Sequence, residues 1–252
     1  MSAALLTVKA AVLTNSANWN PRQVPGLKLW LDPWQLGLAD GATVATWPDS
    51  SGSGNSATAV NSPTYGQSRI NGRPAVVLAS ASSQYLTANG IATLLTGQDV
   101  PFTWVSVNRI PTPSGTQSLM SLGSSASANP LHRLEAASSQ WQMTRRSDSA
   151  GADTASITAG TAAGVGTIVA TRFTGTVAQL FANGAQLGAD TAMDVNLLTV
   201  DRFALGAQVR TTVNNYVNGD LGDQLVWNRA LTLSELARVV RWLGQRWSIA
   251  TA

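Results

Sequence analysis

Hydrophobic and polar residues alternate along many short segments of the chain. In GLKLWLD every second residue from Leu27 onward is leucine, and in PFTWVSVNRI Phe102 and Trp104 would share one face of a strand while Val105 and Val107 share the other. Further short runs that predict strands occupy residues 73–79, 140–146, 166–173, 201–209 and 222–228. Many short strands separated by Gly, Asn, Pro and Ser favour an antiparallel sandwich or barrel.

Asn-Gly pairs mark candidate tight turns between these strands. They stand at Asn71-Gly72, Asn89-Gly90, Asn183-Gly184 and Asn218-Gly219. Both residue types tolerate the positive φ that a type I′ hairpin requires. The pattern predicts one hairpin most clearly: residues 177–182 form its first strand, Asn183-Gly184 its turn, and residues 185–188 the start of its return strand.

The segment LTLSELARVVRWLGQRW near the end of the chain predicts an amphipathic helix. Thr232 is the expected N-cap, and Glu235 three residues later completes a capping box. At three- and four-residue spacing, the expected buried stripe consists of Leu233, Leu236, Val240, Leu243 and Trp247. Such a helix is only marginally stable alone, so we expect it to dock this stripe on the sandwich.

Composition limits the partners that the chain is expected to bind. Of its 252 residues, 44% are hydrophobic, which is enough for a sizeable core, and only 12% are charged. The net charge is +3, and apart from Lys9 and Lys28 every basic residue is an arginine. The arginines are scattered, with Arg145-Arg146 as their one adjacent pair. Because nucleic-acid binding usually requires clustered basic charge, no nucleic-acid partner is expected.

The chain contains no cysteine, which excludes disulfides, thiolate metal ligands and a cysteine nucleophile. Its first 20 residues are mildly apolar, but Thr7, Lys9 and Thr14 interrupt the apolar runs. We therefore expect neither a secretion signal nor a membrane span. The one plausible boundary lies near residues 20–26, and it predicts an N-terminal arm of residues 1–24 followed by a single domain of residues 25–252.

The stretch TWPDSSGSGNSAT, residues 46–58, allows three interpretations. It could be a linker between domains, a loop that holds a cation or phosphate, or a structured turn. It is not a P-loop, because no Gly-Lys-Ser/Thr follows. Asp49, Ser51 and Asn55 can instead close turns on their own backbone. Calcium requires six to eight oxygen ligands, and Asp40, Asp49 and Asn55 are the weak candidates to supply them.

A series of motifs runs in the same order as in one known family. They are LWLD (29–32), ADG (39–41), WPD (47–49), SGSGNSAT (51–58), PTY (63–65), INGRPAV (70–76), YL (85–86) and the final YVNGDLGDQLVWNRALTLSELARVVRWLGQRW. Over roughly residues 25–247 the chain resembles laminin-G-like domains of the concanavalin A-like jelly-roll superfamily. The resemblance implies an all-β, antiparallel two-sheet jelly-roll sandwich with a groove on one face and one C-terminal amphipathic helix. Residues 46–58 would then be a rim loop, and some relatives hold a cation at that rim.

Some members of that superfamily hydrolyse glycans, which requires two carboxylates flanking one bond. The chain has two glutamates, Glu135 and the capping Glu235, and its nearest carboxylate pair is Asp220 and Asp223. Their odd spacing would place them on opposite faces of a regular strand. His132, the single histidine, does not make a lyase constellation on its own. We therefore expect no catalytic residues, no cofactor and no enzyme activity.

Nine tryptophans raise the possibility of stacking on sugar rings. Trp34 and Trp47, with Trp19, lie in or near loops, whereas a Trp in a strand more often fills the core. The candidate ligand-binding residues are therefore Trp34, Trp47, Asp49 and Asn55.

The function expected from the resemblance is binding, not catalysis. Standalone chains of this kind resemble structural proteins of bacteriophage virions, either capsid-decoration or tail-associated. Such a chain would lie at the virion surface and contact other virion proteins through its N-terminal arm. Surface glycans and a second copy of the chain are the further partners that this interpretation allows. The alternatives are a secreted or cell-surface carbohydrate-binding module, and a glycan hydrolase of the same superfamily.

Overall fold

The computed structural model describes residues 19–149, 154–159, 164–193 and 196–252. Most of the expected N-terminal arm, residues 1–18, lies outside the described residues. Residues 19–24, which the arm was expected to include, pack on the body of the fold: Trp19 and Val24 are buried in the same apolar cluster as the C-terminal helix. Within the described residues, the packed body therefore includes residues 19–24.

β-strand is the predominant secondary structure of the described residues. In chain order the strands are β1 (Leu27–Leu31), β2 (Thr46–Trp47), β3 (Ala57–Val60), β4 (Thr64–Ile70), β5 (Arg73–Leu78), β6 (Tyr85–Thr87), β7 (Gly97–Gln98), β8 (Phe102–Arg109), β9 (Thr116–Gly123), β10 (Leu131–Ala137), β11 (Gln140–Arg146), β12 (Thr154–Ala159), β13 (Thr167–Phe173), β14 (Val177–Ala182), β15 (Ala185–Ala192), β16 (Leu197–Leu198), β17 (Arg202–Leu205), β18 (Gln208–Val209), β19 (Val213–Asn214) and β20 (Gly219–Trp227). Two α-helices accompany them, α1 (Gly90–Leu95) and α2 (Leu233–Trp247).

Two large antiparallel sheets form the body. Sheet A has the order β15-β14-β13-β8-β20-β5-β4, with β1 also paired to β20. Sheet B has the order β12-β11-β10-β9-β17-β6-β3-β2. The small pairs β16-β7 and β18-β19 complete the strand pairing of the described residues. The expected all-β, two-sheet jelly-roll sandwich with a C-terminal helix is confirmed.

Strand β8 shows how the hydrophobic alternation divides the core. Phe102 and Trp104 belong to the apolar cluster between the two sheets. Val105 and Val107 belong to a second cluster, on the opposite face of sheet A, which α2 covers. The two-face prediction for this segment is confirmed. Both faces are apolar because one packs against sheet B and the other packs against α2.

Helix α2 begins as predicted. The Thr232 side chain accepts a hydrogen bond from the Glu235 backbone N–H, and the Glu235 carboxylate accepts one from the Thr232 N–H. The predicted stripe is wrong at Leu233, which is 54% exposed in the first turn of α2. The buried residues are Leu236, Val239, Val240, Leu243, Gly244 and Trp247.

Two of the four Asn-Gly pairs form tight turns. Asn71-Gly72 joins β4 to β5 and Asn183-Gly184 joins β14 to β15, with positive φ at all four residues. The hairpin predicted for residues 177–188 is therefore confirmed. Asn89-Gly90 instead opens α1, and Asn218-Gly219 leads into β20.

Asp220 and Asp223 do not lie on opposite faces of β20. The strand's register shifts between Leu221 and Gln224, so Leu221 packs between the sheets while Leu225, four residues later, packs under α2. Asp223 accepts a hydrogen bond from Trp247 of α2, so it faces the helix. Asp220 also faces the helix side, because its neighbour Leu221 points between the sheets. The prediction was wrong because it assumed a regular strand, whereas the bulge turns both aspartates to the helix side.

Candidate functional site

The loop of residues 46–58 is a structured turn built around one carboxylate. Asp49 Oδ1 accepts hydrogen bonds from the backbone N–H of Trp30 at 3.0 Å and of Ser51 at 2.8 Å. Its Oδ2 accepts from the Ser51 hydroxyl at 2.8 Å and from the Asn55 N–H at 2.9 Å. The Asn55 amide donates to the Lys28 carbonyl at 2.8 Å. These bonds fasten the loop to β1.

The three calcium candidates are engaged in different contacts. Asp40 Oδ1 accepts a hydrogen bond from the Gln67 N–H at 2.8 Å, where the register of β4 shifts. Asp49 instead accepts a hydrogen bond from the Trp30 N–H of β1. Both oxygens of Asp49 already accept two protein donors. Among the described residues, no three His, Cys, Asp or Glu side chains come together as a metal site. The residues therefore do not fit calcium, which requires several converging oxygens.

The loop tryptophans lie in separate environments. Trp47 has no exposed surface and lies between the sheets, which leaves no face for a sugar. Trp34 is half-buried; its ring meets the Trp247 ring at 4.9 Å, and the Arg246 guanidinium lies 3.8 Å from its centroid. Asp49 and Asn55 lie in the loop between β2 and β3, which is hydrogen-bonded to β1. The structure does not bring these four sequence candidates together around one cavity.

The outer face of sheet B, opposite the core, is partly covered by the β18-β19 hairpin. The Val209 N–H donates to the Ser121 hydroxyl at 3.0 Å, and that hydroxyl donates to the Ala207 carbonyl at 2.8 Å. The contact is close enough to require glycine in β9, because a Cβ at Gly123 would lie 1.7 Å from the Val209 carbonyl oxygen. The hairpin is thus fixed in place against the sheet.

A cavity of about 220 Å³ lies beside this hairpin. We call it the sheet-B cavity; it is lined by Tyr85, Thr87, Asn89, Arg202, Val209 and Val213. The Tyr85 ring lies 6.0 Å from that of Tyr216 and is half-buried, while the Asn89 side chain is exposed. The walls combine aromatic carbon with amide, hydroxyl and guanidinium groups, the mixture that small-ligand sites use.

A second cavity of about 250 Å³ lies between α2 and the β14-β15 hairpin. Phe181, Leu233, Leu236 and Val240 supply most of its lining. A sugar needs hydrogen-bond partners for its hydroxyls, so the sheet-B cavity fits a sugar better.

Four arginines converge beside the sheet-B cavity, and we call them the arginine face: Arg133 of β10, Arg146 of β11, Arg202 of β17, and Arg210, which follows β18. The Arg202 Nη1 donates to the Arg210 carbonyl at 2.7 Å. Arg146 and Arg210 both donate to the Ala128 carbonyl, Arg210 at 2.8 Å. Burial and the charges of nearby arginines lower the pKa of Arg133 and of Arg210.

Glu135 is the carboxylate on the same face of β10. Its Oε2 accepts from the Ser118 hydroxyl at 3.3 Å. Its Oε1 lies 2.8 Å from the Arg133 Nε, an ion pair whose angle falls outside hydrogen-bond geometry. Complete burial raises the pKa of Glu135 to about 7, against the opposing effects of Arg133 and Ser118. Glu135 therefore neutralises the arginines only partly at neutral pH.

The two aspartates of β20 are held by other partners on the helix side of sheet A. Asp220 pairs with Arg69 at 2.9 Å and Arg109 at 2.7 Å. Asp223 accepts from Trp30 Nε1 at 2.7 Å and Trp247 Nε1 at 2.6 Å. Burial raises the pKa of Asp223 to about 6, although Arg246 opposes the shift. Each carboxylate holds packed elements together.

Sequence reasoning missed the sheet-B cavity and the arginine face. The arginines are separated by 13, 56 and 8 positions along the chain, and only the pairing of β9 with β10 and β17, and of β10 with β11, brings them together. One signal was available: in LHRLEAA, Arg133 and Glu135 alternate with apolar residues, which marks the outer face of a strand.

Comparison with solved structures shows the same fold. The CBM40 domain of the Ruminococcus gnavus IT-sialidase, bound to α2,3-sialyllactose, is 22% identical with a TM-score of 0.52, over 60% of this chain and 86% of that one. The binding domain of Paraclostridial mosquitocidal protein 1 is 11% identical with a TM-score of 0.65, over 86% of this chain and 52% of that one. The binding domain of botulinum neurotoxin serotype G is 12% identical with a TM-score of 0.60, over 78% of this chain and 48% of that one.

No curated protein sequence matches the chain significantly. No helix within the described residues is long and apolar enough to cross a membrane. The sequence of residues 80–237, well over half of the chain, matches the family Laminin_G_3. Together with the two-sheet sandwich, this match shows that the chain belongs to the concanavalin A-like lectin/glucanase superfamily.

Proposed function

We propose that the chain is a non-catalytic glycan-binding module whose site is the sheet-B cavity. The observation that carries the proposal is the set of cavity walls: an aromatic ring, an amide, a hydroxyl and a guanidinium on the uncovered part of one sheet. The similar CBM40 domain is a carbohydrate-binding module bound to a sialylated sugar, and two further similar structures are binding domains.

The wall residues have the groups that a sugar ring uses. The Tyr85 ring offers an apolar face against which C–H groups can pack. Asn89 accepts the Phe203 N–H through Oδ1 at 3.1 Å, which orients its amide and leaves its NH₂ to donate to a hydroxyl. Thr87 and Arg202 add polar groups on the same side. A preorganised mixture of this kind binds without reacting.

The test is a glycan array followed by titration calorimetry with the best glycan. Tyr85→Ala should weaken binding at least about tenfold, because it removes the ring that packs on the sugar. Trp34→Ala is the matched control: it removes a half-buried aromatic ring that follows β1 and packs against Trp247 of α2, away from the cavity, and it should leave affinity unchanged. Loss of binding in Trp34→Ala with retention in Tyr85→Ala would refute the proposed site.

For the biological setting, the proposal is display on the surface of a virion, as a capsid-decoration or tail-associated protein. Support comes from the sequence, which has low charge and abundant small residues; the proposed contact to other virion proteins is the N-terminal segment. An extracellular carbohydrate-binding module is the alternative. The experiment deletes residues 1–18 and leaves Trp19 in place, because Trp19 is part of the packed body. Attachment to virions that is unchanged by the deletion would refute the anchoring role.

A glycan hydrolase is the remaining alternative. Hydrolysis requires two carboxylates across one bond. Of the two carboxylates that the described residues place beside the arginine face, Glu135 pairs with Arg133 and Asp201 accepts hydrogen bonds from Ser125, while Asp220 and Asp223 are held on the other sheet. Reducing-sugar release from the glycan that binds should therefore be absent. Release that is abolished by Glu135→Gln would overturn the non-catalytic proposal.

A further inference from the structure

We propose that the sheet-B cavity selects sugars that carry a carboxylate, and that the arginine face supplies this selectivity. The inference rests on the proposed function, because it assumes that the cavity is the glycan site. It concerns which class of glycan binds. The aromatic and amide groups of the cavity could bind neutral and acidic sugars alike.

Arg202 is the arginine that lines the cavity directly. Its Nη1 is occupied by the Arg210 carbonyl, and this is its one hydrogen bond to the described residues. The bond fixes the orientation of the planar guanidinium and leaves Nε and Nη2 without an acceptor in the described part of the chain. Two N–H groups along one edge of a guanidinium match the two oxygens of a carboxylate, a geometry that lysine does not provide.

Arg210 and Arg146 add positive charge behind Arg202. The Arg210 Nε is buried and has no hydrogen-bond partner among the described residues. Both side chains are held by the Ala128 carbonyl, so their charges are fixed and not spread over many rotamers. A buried donor without an acceptor is costly, and an anion or an ordered water beside it would relieve that cost.

The local charge balance favours an anion. Four arginines face one buried carboxylate, Glu135, and one neighbouring carboxylate, Asp201, whose oxygens accept from the Ser125 N–H and hydroxyl. Burial lowers the pKa of Arg210, and the positive charges of Arg146 and Arg133 lower it further. A bound carboxylate would offset part of this positive charge.

The cavity favours a sugar acid over a polyanion. Its volume of about 220 Å³ and its Tyr85 and Asn89 walls suit one ring with hydroxyls. The charge is concentrated at one side of the cavity and does not form a track, whereas a nucleic acid needs a series of phosphate contacts. Uronic acids and ulosonic acids such as N-acetylneuraminic acid share the required group, an ionised carboxylate on a sugar ring.

The experiment compares each acid with its neutral methyl ester by titration calorimetry. Trigalacturonate is the uronic-acid probe, and the methyl glycoside of N-acetylneuraminic acid is the ulosonic-acid probe. For at least one acid, esterification should weaken binding at least about tenfold, the effect of losing charge-assisted hydrogen bonds to a guanidinium. Which acid responds identifies the source. This comparison uses the wild-type chain, so it does not depend on any variant folding.

Variants then locate the effect. Arg202→Gln should weaken binding of the responding acid at least about tenfold, and Arg202→Lys, which keeps charge but loses the planar fork, should weaken it severalfold. Arg73→Gln is the control, because Arg73 is an exposed arginine of sheet A and its loss gives the same change in net charge. It should change affinity less than about twofold.

Failure of this inference is distinguishable from failure of the proposed function. If neutral glycans bind through Tyr85 while each acid and its ester bind equally, the carboxylate selectivity is refuted and the glycan site stands. Equal losses in Arg202→Gln and Arg73→Gln would also refute it, because general electrostatic attraction would then explain the binding. If no glycan binds, both proposals fall.

Discussion

His132 provides the sharpest test of how the core is built. Its ring has no exposed surface, and it lies edge-on to the rings of Phe102 at 4.4 Å and Trp104 at 4.7 Å. Arg145 is its cross-strand neighbour on β11 and is itself 1% exposed. Burial, and then the charge of Arg145, hold the pKa of His132 well below its ordinary value. We predict that His132→Leu makes the protein more resistant to acid.

The size of the effect follows from proton linkage. In the unfolded chain His132 titrates near its ordinary pKa of about 6.5, whereas in the folded chain it stays neutral to lower pH. Below pH 6.5 the unfolded state therefore binds a proton that the folded state excludes, and the free energy of unfolding falls as pH falls. The slope approaches about 1.4 kcal/mol per pH unit, which gives a loss of about 2 kcal/mol at pH 5. That is a substantial part of a typical total stability of about 5–15 kcal/mol.

Urea unfolding of wild type and His132→Leu at pH values from 5 to 8 measures this difference. Between pH 7 and 8 the variant should differ from wild type by a constant of less than about 1.5 kcal/mol, because leucine has a similar volume. Towards pH 5 the difference should shift by about 2 kcal/mol in favour of the variant. Glu135 and Asp223, whose pKa values are raised, act with the opposite sign, but they are present in both proteins.

Leu134→Met is the control, since residue 134 lies on the same strand and the same inner face and does not titrate. Its difference from wild type should not change with pH. A His132→Leu difference that stays flat from pH 8 to pH 5 would show that His132 takes up its proton in the folded state, and the buried placement would be refuted.

Three further perturbations test other parts of the structure. Asp223→Leu should lower the free energy of unfolding in urea by about 2–5 kcal/mol, because it leaves two buried indole N–H groups without their acceptor and removes one of the two carboxylates that pair with Arg246, the other being Asp32; Asp40→Asn, at an exposed site, should lower it by less than about 1 kcal/mol. Gly184→Ala should reduce stability by about 1–2 kcal/mol, because Gly184 has a φ of 89° in the hairpin turn. EDTA and calcium should leave the melting temperature unchanged, because protein donors already occupy both oxygens of Asp49; a rise of several degrees with calcium would contradict this.

The sequence predicted the fold where local patterns decide the structure. Alternation identified most strands of sheet A, and the capping box identified the first residue of α2. It did not identify β9, whose TQSLMSLG combines polar and apolar residues without a clean period. The polar members of that strand, Ser118 and Ser121, lie under the β18-β19 hairpin, and their burial depends on contacts 86 or more residues away.

The candidate site could not be predicted by the same means. Trp47 follows a loop-like pattern, yet it fills the core, because a two-residue strand pairs it with Ala57 of β3. Asp49 and Asn55 are residue types that often bind ligands in loops. Here their side chains form hydrogen bonds with the backbone of β1 and of the loop itself. Composition cannot distinguish oxygens that serve a ligand from oxygens that serve a turn. The arginine face depends on strand order, which no local pattern encodes.

The outer faces of the two sheets are covered by different elements, and this difference determines where a ligand can bind. The outer face of sheet A is buried beneath α2, where Leu243 and Trp247 complete an apolar layer. The charged groups on that face, Asp220 and Asp223, are paired with arginines of neighbouring elements. Sheet B is covered by a short hairpin that contacts β9 closely at Gly123 and stops short of β6. The space that remains is the sheet-B cavity, and the hairpin that bounds it also positions Arg210. The close approach of Val209 to Gly123 therefore fixes the hairpin that both lines the cavity, through Val209 and Val213, and leads into Arg210.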